Sequence, residues 1–300
     1  MRRFPCIFSG EIADTQEHVI PDWLQRRFSL QRLSHSLPNR TSLDYRHARV
    51  PASHDHNKKF GSIEGRISRN MFVFEEVYLW LYKIHLGRMY KNLALYADVR
   101  NKSRGYLLRD ESIFQEQLSF FRKLVKSYLS TQSFGPNIPL PGSIFILPSL
   151  IASEFDFVHS FPCGCVGVNV GDYYLAGSFW DFGLAYDYGY FEWEWDNLRK
   201  SLPPEDMMAE EIVIYRNMQQ AIWLCQLGYW CYRWNIDYYR GESFTPGYGP
   251  SSLGMLQQRA ENAQELSTIC RSFGLKLEKF VSNGSSQFTI STERLDGRVK

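Results

Sequence analysis

Long apolar runs are missing from this chain. No stretch of about 18 residues stays apolar and uncharged, so the sequence offers no transmembrane helix. The opening MRRFPCIFSGE carries charge but no extended apolar core, so it does not read as a secretory leader. A cytoplasmic protein without membrane association is expected. Internal repeats and low-complexity tracts are absent, which excludes a solenoid or a compositional linker protein. Cysteine is scarce and scattered: Cys6, Cys163, Cys165, Cys225, Cys231 and Cys270 form no tight framework. A chain of this length needs no staples, so buried reduced thiols are expected. Cys163-Gly-Cys165 suits strand-end packing better than metal ligation, because CxC by itself specifies little.

Net charge is small as well, +2 over 300 residues, but that average conceals an imbalance. Residues 1–128 carry 22 Lys and Arg against 13 Asp and Glu, a surplus of +9. The remaining 172 residues carry 12 against 19, a balance of −7. A basic front and an acidic rear imply different partners, and the front is the candidate for phosphate contact. Apolar residues make up 44%, enough for a sizeable core, and the 16% aromatics crowd the second half. Length suits one large domain or two ordinary ones.

The first 70 residues are short segments punctuated by turns. Phe4 to Phe8 reads as a strand, Ser9-Gly10 as a tight turn, Thr15 as the start of a second strand, and Pro21-Asp22 as a helix start. Residues 34–46 are polar and read as a loop, and RHARVPA reads as the return strand of a hairpin. Phe60, Ile63, Ile67 and Met71 recur at spacings of three and four, one face of a helix. Longer helices follow at about 74–98, with Gly87 as a kink, and at about 110–130. FGPNIPLPG, with three prolines and two glycines, is the best boundary. Beyond it SIFILPS, FDFVHSF, CVGVNVGDYYLAGSF and GYFEWEW read as β runs. Two helices follow, at about 205–234 and 252–273, and SQFTIST closes the chain as a strand. The fold class is α+β, divided as 1–72, a helical segment 73–133, and an α+β domain 134–300.

One constellation suggests chemistry. Glu17-His18 precedes Val-Ile-Pro, and Asn57-Lys58-Lys59 opens a helix some forty residues later. A neutral imidazole can take a proton from water. A carboxylate and an amide oxygen are ligands that hard divalent cations prefer. A helix start adds N–H groups favourable to phosphate.

EHVIP followed by SHDHNKKFGS resembles the His-Asn-His endonuclease family, the ββα-metal nucleases, over roughly residues 4–72. The opening CIFSG is similar to a zinc-bearing branch of that family. The resemblance implies a ββα unit in which His18 is the general base and Glu17 and Asn57 hold Mg²⁺ or another divalent cation. It implies phosphate contacts from Arg26, Arg27, Lys58, Lys59, Arg66 and Arg69. Ser9, Ser53 and His56 stand where that branch has cysteines, so a four-thiolate zinc site is excluded. Either Cys6, His54 and His56 hold zinc as a reduced set, or apolar packing of Phe4, Phe8 and Phe60 replaces it. Ala48, with His47 beside it, falls where the family has the Asn that orients the base.

The remaining histidines read as structural: His85 at a helix edge or in the core, His159 in a strand, His35 and His47 solvated. Asp181, Asp187, Glu192, Glu194 and Asp196 read either as one wet sheet face, the commoner outcome of such alternation, or as a metal site or cleft. The implied activity is a metal-dependent endonuclease acting on nucleic acid, with DNA favoured over RNA. Such enzymes often serve defence against mobile DNA. Two alternatives stand beside it: a nucleic-acid-binding protein descended from such a nuclease, and a module that uses the aromatic rear half for a protein partner or self-association.

Overall fold

The computed structural model describes residues 5–37, 39, 41–106, 111–135, 142–161, 163–240, 263–273, 275–282 and 285–291. The fold is α+β, and contacts divide it into two units, Met1–Pro139 and Leu140–Lys300. The division falls inside the Pro-rich stretch, and residues 73–133 share a unit with the first 72.

In the first unit, β1 (Thr15–His18) pairs antiparallel with β4 (Arg49–Ala52), with Glu17 opposite Val50 and His18 opposite Arg49. Between them lie α1 (Asp22–Arg27) and a small hairpin, β2 (Ser34–Ser36) with β3 (Ser42–Asp44). That hairpin occupies the stretch expected to be loop. Short polar runs carry no period-2 apolar signal, so strands this brief leave little mark on the sequence. Phe4 lies outside the described residues, and residues 7–9 form a turn where a strand was expected. Gly10 closes it, donating its N–H to the Cys6 carbonyl at 2.9 Å with φ of +81°.

Directly after β4 comes α2 (His54–Ile67), which buries Phe60, Ile63 and Ile67. Next is α3 (Phe74–Leu93), buried on every side from Glu76 to Met89. A helix apolar all round belongs in a core. It runs unbroken through Gly87, where a kink was expected. There a Cβ would lie 2.8 Å from Val19 Cγ2, so the glycine admits the chain just after β1. The last helix, α4 (Ser112–Thr131), faces α3 with Phe114, Leu118, Phe121 and Leu124. Tyr82 and Phe121 meet edge to face at 5.5 Å.

The second unit holds a four-stranded antiparallel sheet of β5 (Ser143–Pro148), β6 (Phe157–Ser160), β7 (Cys165–Asn169) and β8 (Tyr173–Ser178), in the order β5-β8-β7-β6. His159 sits in β6, as expected. After a short α5 (Leu184–Asp187), the GYFEWEW stretch forms α6 (Tyr190–Lys200), where a strand was expected. Its alternation of Phe191, Trp193 and Trp195 is misleading. Trp193 is exposed, while Phe191 and Trp195, four apart, are buried together. Trp195 stacks on Tyr174 at 5.0 Å and donates its indole N–H to the Pro148 carbonyl at 2.9 Å.

That helix also disperses the expected acidic face. Asp181 is buried and accepts from the Ser143 N–H, the Ser143 hydroxyl and the Ala185 N–H. Glu194 is buried, and Asp187 and Asp196 face solvent. The long α7 (Ala209–Arg240) packs on the sheet, and α8 (Ala263–Ser272) follows. Residues 252–262 of the second expected helix lie outside the described residues. A final antiparallel hairpin joins β9 (Lys276–Ser282), which sequence reading missed, to β10 (Ser285–Ser291). All six cysteines are buried free thiols. Among the described residues no helix is long and apolar enough to cross a membrane.

Candidate functional site

The β1–β4 ladder sets two neighbours in opposite directions, as a strand must. Glu17 turns inward and is buried, and His18 is half-buried at the ladder's end.

Inward, Glu17 meets Lys83 of α3. The Lys83 ammonium, fully buried, donates to Glu17 Oε1 at 2.8 Å, to Glu64 Oε1 at 2.5 Å and to the His18 carbonyl at 3.0 Å. An ammonium has three protons, and all three are used. Burial opposes the charge on Lys83, but the two carboxylates outweigh it and hold its pKa above the ordinary value. Burial pushes the Glu64 carboxyl up to about 7, against the pull of Lys83 and with the repulsion of Glu17 in support. This cluster ties β1, α2 and α3 together. Lys83 and Glu64 were not anticipated, although Lys83 is the single charge in VYLWLYKIHLG, an otherwise apolar helical run.

Outward, His18 meets its ladder partner. The Arg49 Nε–H is shared between His18 Nε2 at 3.1 Å and the Arg46 carbonyl at 3.0 Å. An imidazole that accepts at Nε2 is neutral and carries its proton on Nδ1. Burial lowers the His18 pKa and Arg49 lowers it further, while Glu17 and Asp22 oppose them. Arg49 is exposed, and its two terminal nitrogens have no partner among the described residues. Arg49 was missed because only the strand register places it opposite His18. Neither sequence candidate for an orienting residue touches the imidazole: the Ala48 carbonyl accepts the Val19 N–H at 2.8 Å, and exposed His47 lies 3.9 Å from Asp44.

Asn57 sits in the first turn of α2, half-buried, its N–H donated to the Ser53 carbonyl at 2.9 Å. The helix start is less open than the sequence suggests. Asp14 Oδ1 accepts the His54 N–H at 2.7 Å, and Asp55 adds a negative charge beside it. Of the residues expected to touch phosphate, Arg27, Lys58, Lys59 and Arg69 are exposed without an acidic partner among the described residues. Arg26 pairs with Asp22 at 2.6 Å. Arg66 grips both oxygens of buried Glu76, which also accepts the Tyr128 hydroxyl, so Arg66 clamps α2 to α3.

In the reduced zinc set, Cys6 and His56 both engage Ser53. Cys6 is buried and its Sγ accepts the Ser53 N–H at 3.2 Å. His56 Nδ1 lies 2.9 Å from the Ser53 hydroxyl, and His54 is exposed. Phe8 and Phe60 pack with ring centroids 4.7 Å apart, and Arg122 Nη2 donates to the Cys6 carbonyl at 2.8 Å. Hydrogen bonds and ring contacts thus hold the turn at residues 6–10. Among the described residues, no group of three or more His, Cys, Asp or Glu is disposed to hold a metal ion. Nor does Glu17 fit a divalent cation as it stands, because an ammonium already occupies its Oε1.

His35, expected to be solvated, instead lies beside Arg88 and packs on Tyr45 at 4.8 Å. Burial and the Arg88 charge push its pKa down to about 3. His85 is a core residue, its Nε2 3.1 Å from Gln117 Oε1.

No family model, curated protein or solved structure matches this chain.

Proposed function

We propose that the N-terminal unit acts on the phosphodiester bonds of nucleic acid, with His18 as the base, as an endonuclease of His-Asn-His type. One observation carries the reading: a neutral imidazole at the ladder's end, bonded to an exposed arginine whose terminal nitrogens are open to an anion. Two facts support it further. The strand–strand–helix order of β1, β4 and α2 agrees with that resemblance, and Asn57 falls in the helix's first turn.

An arriving phosphate would compete for the Arg49 guanidinium. Once drawn away, Arg49 would free Nε2 to take a proton from water, and loss of its charge would raise the basicity of His18. The water oxygen would then attack phosphorus, and one ester oxygen would leave with the bonding pair as an alkoxide that takes its proton from solvent water. A divalent cation, if bound, would stabilise the charge on the phosphate. The donor set does not fit one while Lys83 holds Glu17.

Lys83 favours a second reading, in which the unit binds nucleic acid without cutting it. Plasmid, single-stranded DNA and RNA incubated with Mg²⁺, Mn²⁺ or chelator separate the two. Cleavage is expected to fall roughly 10²–10⁴-fold in His18→Ala, with an unchanged circular dichroism spectrum. Equal cleavage by that variant overturns the role of His18. Binding without cleavage in every mixture selects the second reading.

A further inference from the structure

After α3 the chain makes a tight loop that none of the functional residues above explains. The Ala97 N–H donates to the Gly105 carbonyl at 2.9 Å, and Tyr96 and Tyr106 form an antiparallel bridge. Inside the loop, Asp98 Oδ1 accepts the N–H groups of Arg100 at 2.9 Å and Asn101 at 3.2 Å. Asn101 Oδ1 accepts the Ser103 hydroxyl at 2.5 Å. Gly105 turns the chain back at φ of +77°, a value that suits glycine. The tip is thus held by its own bonds, and Arg100, Lys102 and Arg104 stand exposed on it. Residues 97–106 carry those three cations against Asp98 alone, a surplus of +2.

The two tyrosine rings at the loop's base stack at 4.9 Å with planes 16° apart. Tyr106 remains 50% exposed. Lys102 Nζ lies 5.4 Å from the Tyr96 ring centroid, and Arg104 Nη1 lies 3.8 Å from Asp98 Oδ2. Exposed cations alone would suit any polyanion. A parallel aromatic pair beside them narrows the choice. A nucleobase is a planar group that can stack on Tyr106, whereas the carboxylates of an acidic peptide make no use of such a surface. Paired bases inside a duplex are sealed from it.

We propose that this loop binds single-stranded nucleic acid, with an unpaired base stacked on Tyr106 and adjacent phosphates held by Arg100, Lys102 and Arg104. The proposal rests on the reading that the N-terminal unit handles nucleic acid, and it holds whether or not the strand is cut. Fluorescence anisotropy tests it on the full chain carrying His18→Ala, using a labelled oligodeoxythymidylate of about 12 nucleotides and a duplex of equal length. Tyr106→Ala is expected to weaken single-strand binding about five-fold or more, leaving duplex binding unchanged, while Tyr106→Phe binds normally. Replacing Arg100, Lys102 and Arg104 with alanine should weaken binding and flatten its log–log salt dependence by about 2, since each single-strand phosphate contact contributes about 0.7. Parent-like binding by both the Tyr106→Ala and the triple variant overturns the proposal. So does polyglutamate competing as well as an unlabelled strand. No binding by the parent overturns it too, while the hydrolytic reading is judged separately by cleavage in the wild-type protein.

Discussion

At the scale of single residues, Lys83 carries the most weight. Its ammonium is the cation shared by two carboxyl groups that would otherwise lie near one another in the interior. Breaking such a cluster from one side leaves charge without a partner, which costs about 3–5 kcal/mol. Lys83→Met should therefore lower stability by that amount in urea denaturation. The combined variant Lys83→Met, Glu17→Gln, Glu64→Gln should recover most of it. If the single variant is as stable as wild type, the cluster is not an ionic one. A buried histidine supplies the pH counterpart. Burial pushes the His85 pKa down from 6.5 to about 4. Above pH 6.5 the imidazole is neutral in both folded and unfolded chains, and its contribution is fully present. Below that, the unfolded chain takes up a proton that the folded protein refuses until about pH 4. Stability should fall across that window by about 3 kcal/mol from this group, at about 1.4 kcal/mol per pH unit. His85→Asn should lose less stability than wild type between pH 7 and 4, measured by urea denaturation at each pH. An identical loss in both proteins would remove His85 from the account.

At the scale of elements, Gly87 links α3 to the site. Alanine there would gain about 1 kcal/mol in helix propensity, but its Cβ would press on both Val19 methyl carbons, at 2.8 and 3.1 Å. Overpacking typically costs about 1–3 kcal/mol, so Gly87→Ala should be destabilising on balance, and Val19→Ala should relieve it. A thermal melt of the single and double variants decides this; a raised midpoint in Gly87→Ala would contradict the close approach. The same element explains what the sequence could and could not convey. Helices α2 and α4 were legible because their apolar residues recur at three and four, and β1 and β4 because turn residues bracket them. The site was half legible. Glu17, His18 and Asn57 are marked by their neighbours in the chain, but Arg49 and Lys83 reach them only through strand register and helix packing, which no local pattern encodes. α6 went wrong for a related reason: Trp193 alternates with Phe191 and Trp195 in sequence yet takes no part in their packing.

At the scale of the whole molecule, charge and contacts divide the chain at nearly the same place. The unit Met1–Pro139 has its own core around α3, and residues 129–139 add no charged side chain to the +9 surplus. A core of its own is what a segment needs to fold alone. Lys83, Glu17, Glu64, Arg49 and the 97–106 loop all belong to this unit, so the proposed strand binding should require nothing from residues 140–300. A chain ending at Pro139 should therefore unfold cooperatively and still bind single-stranded DNA. Removing an acidic rear half of balance −7 should strengthen that binding at low salt, where screening is weakest, and leave it nearly unchanged at high salt. Calorimetry and anisotropy at two ionic strengths test both statements. A fragment that folds cooperatively but fails to bind would place part of the strand-binding surface in the second unit, and so overturn the assignment of strand binding to the basic unit alone.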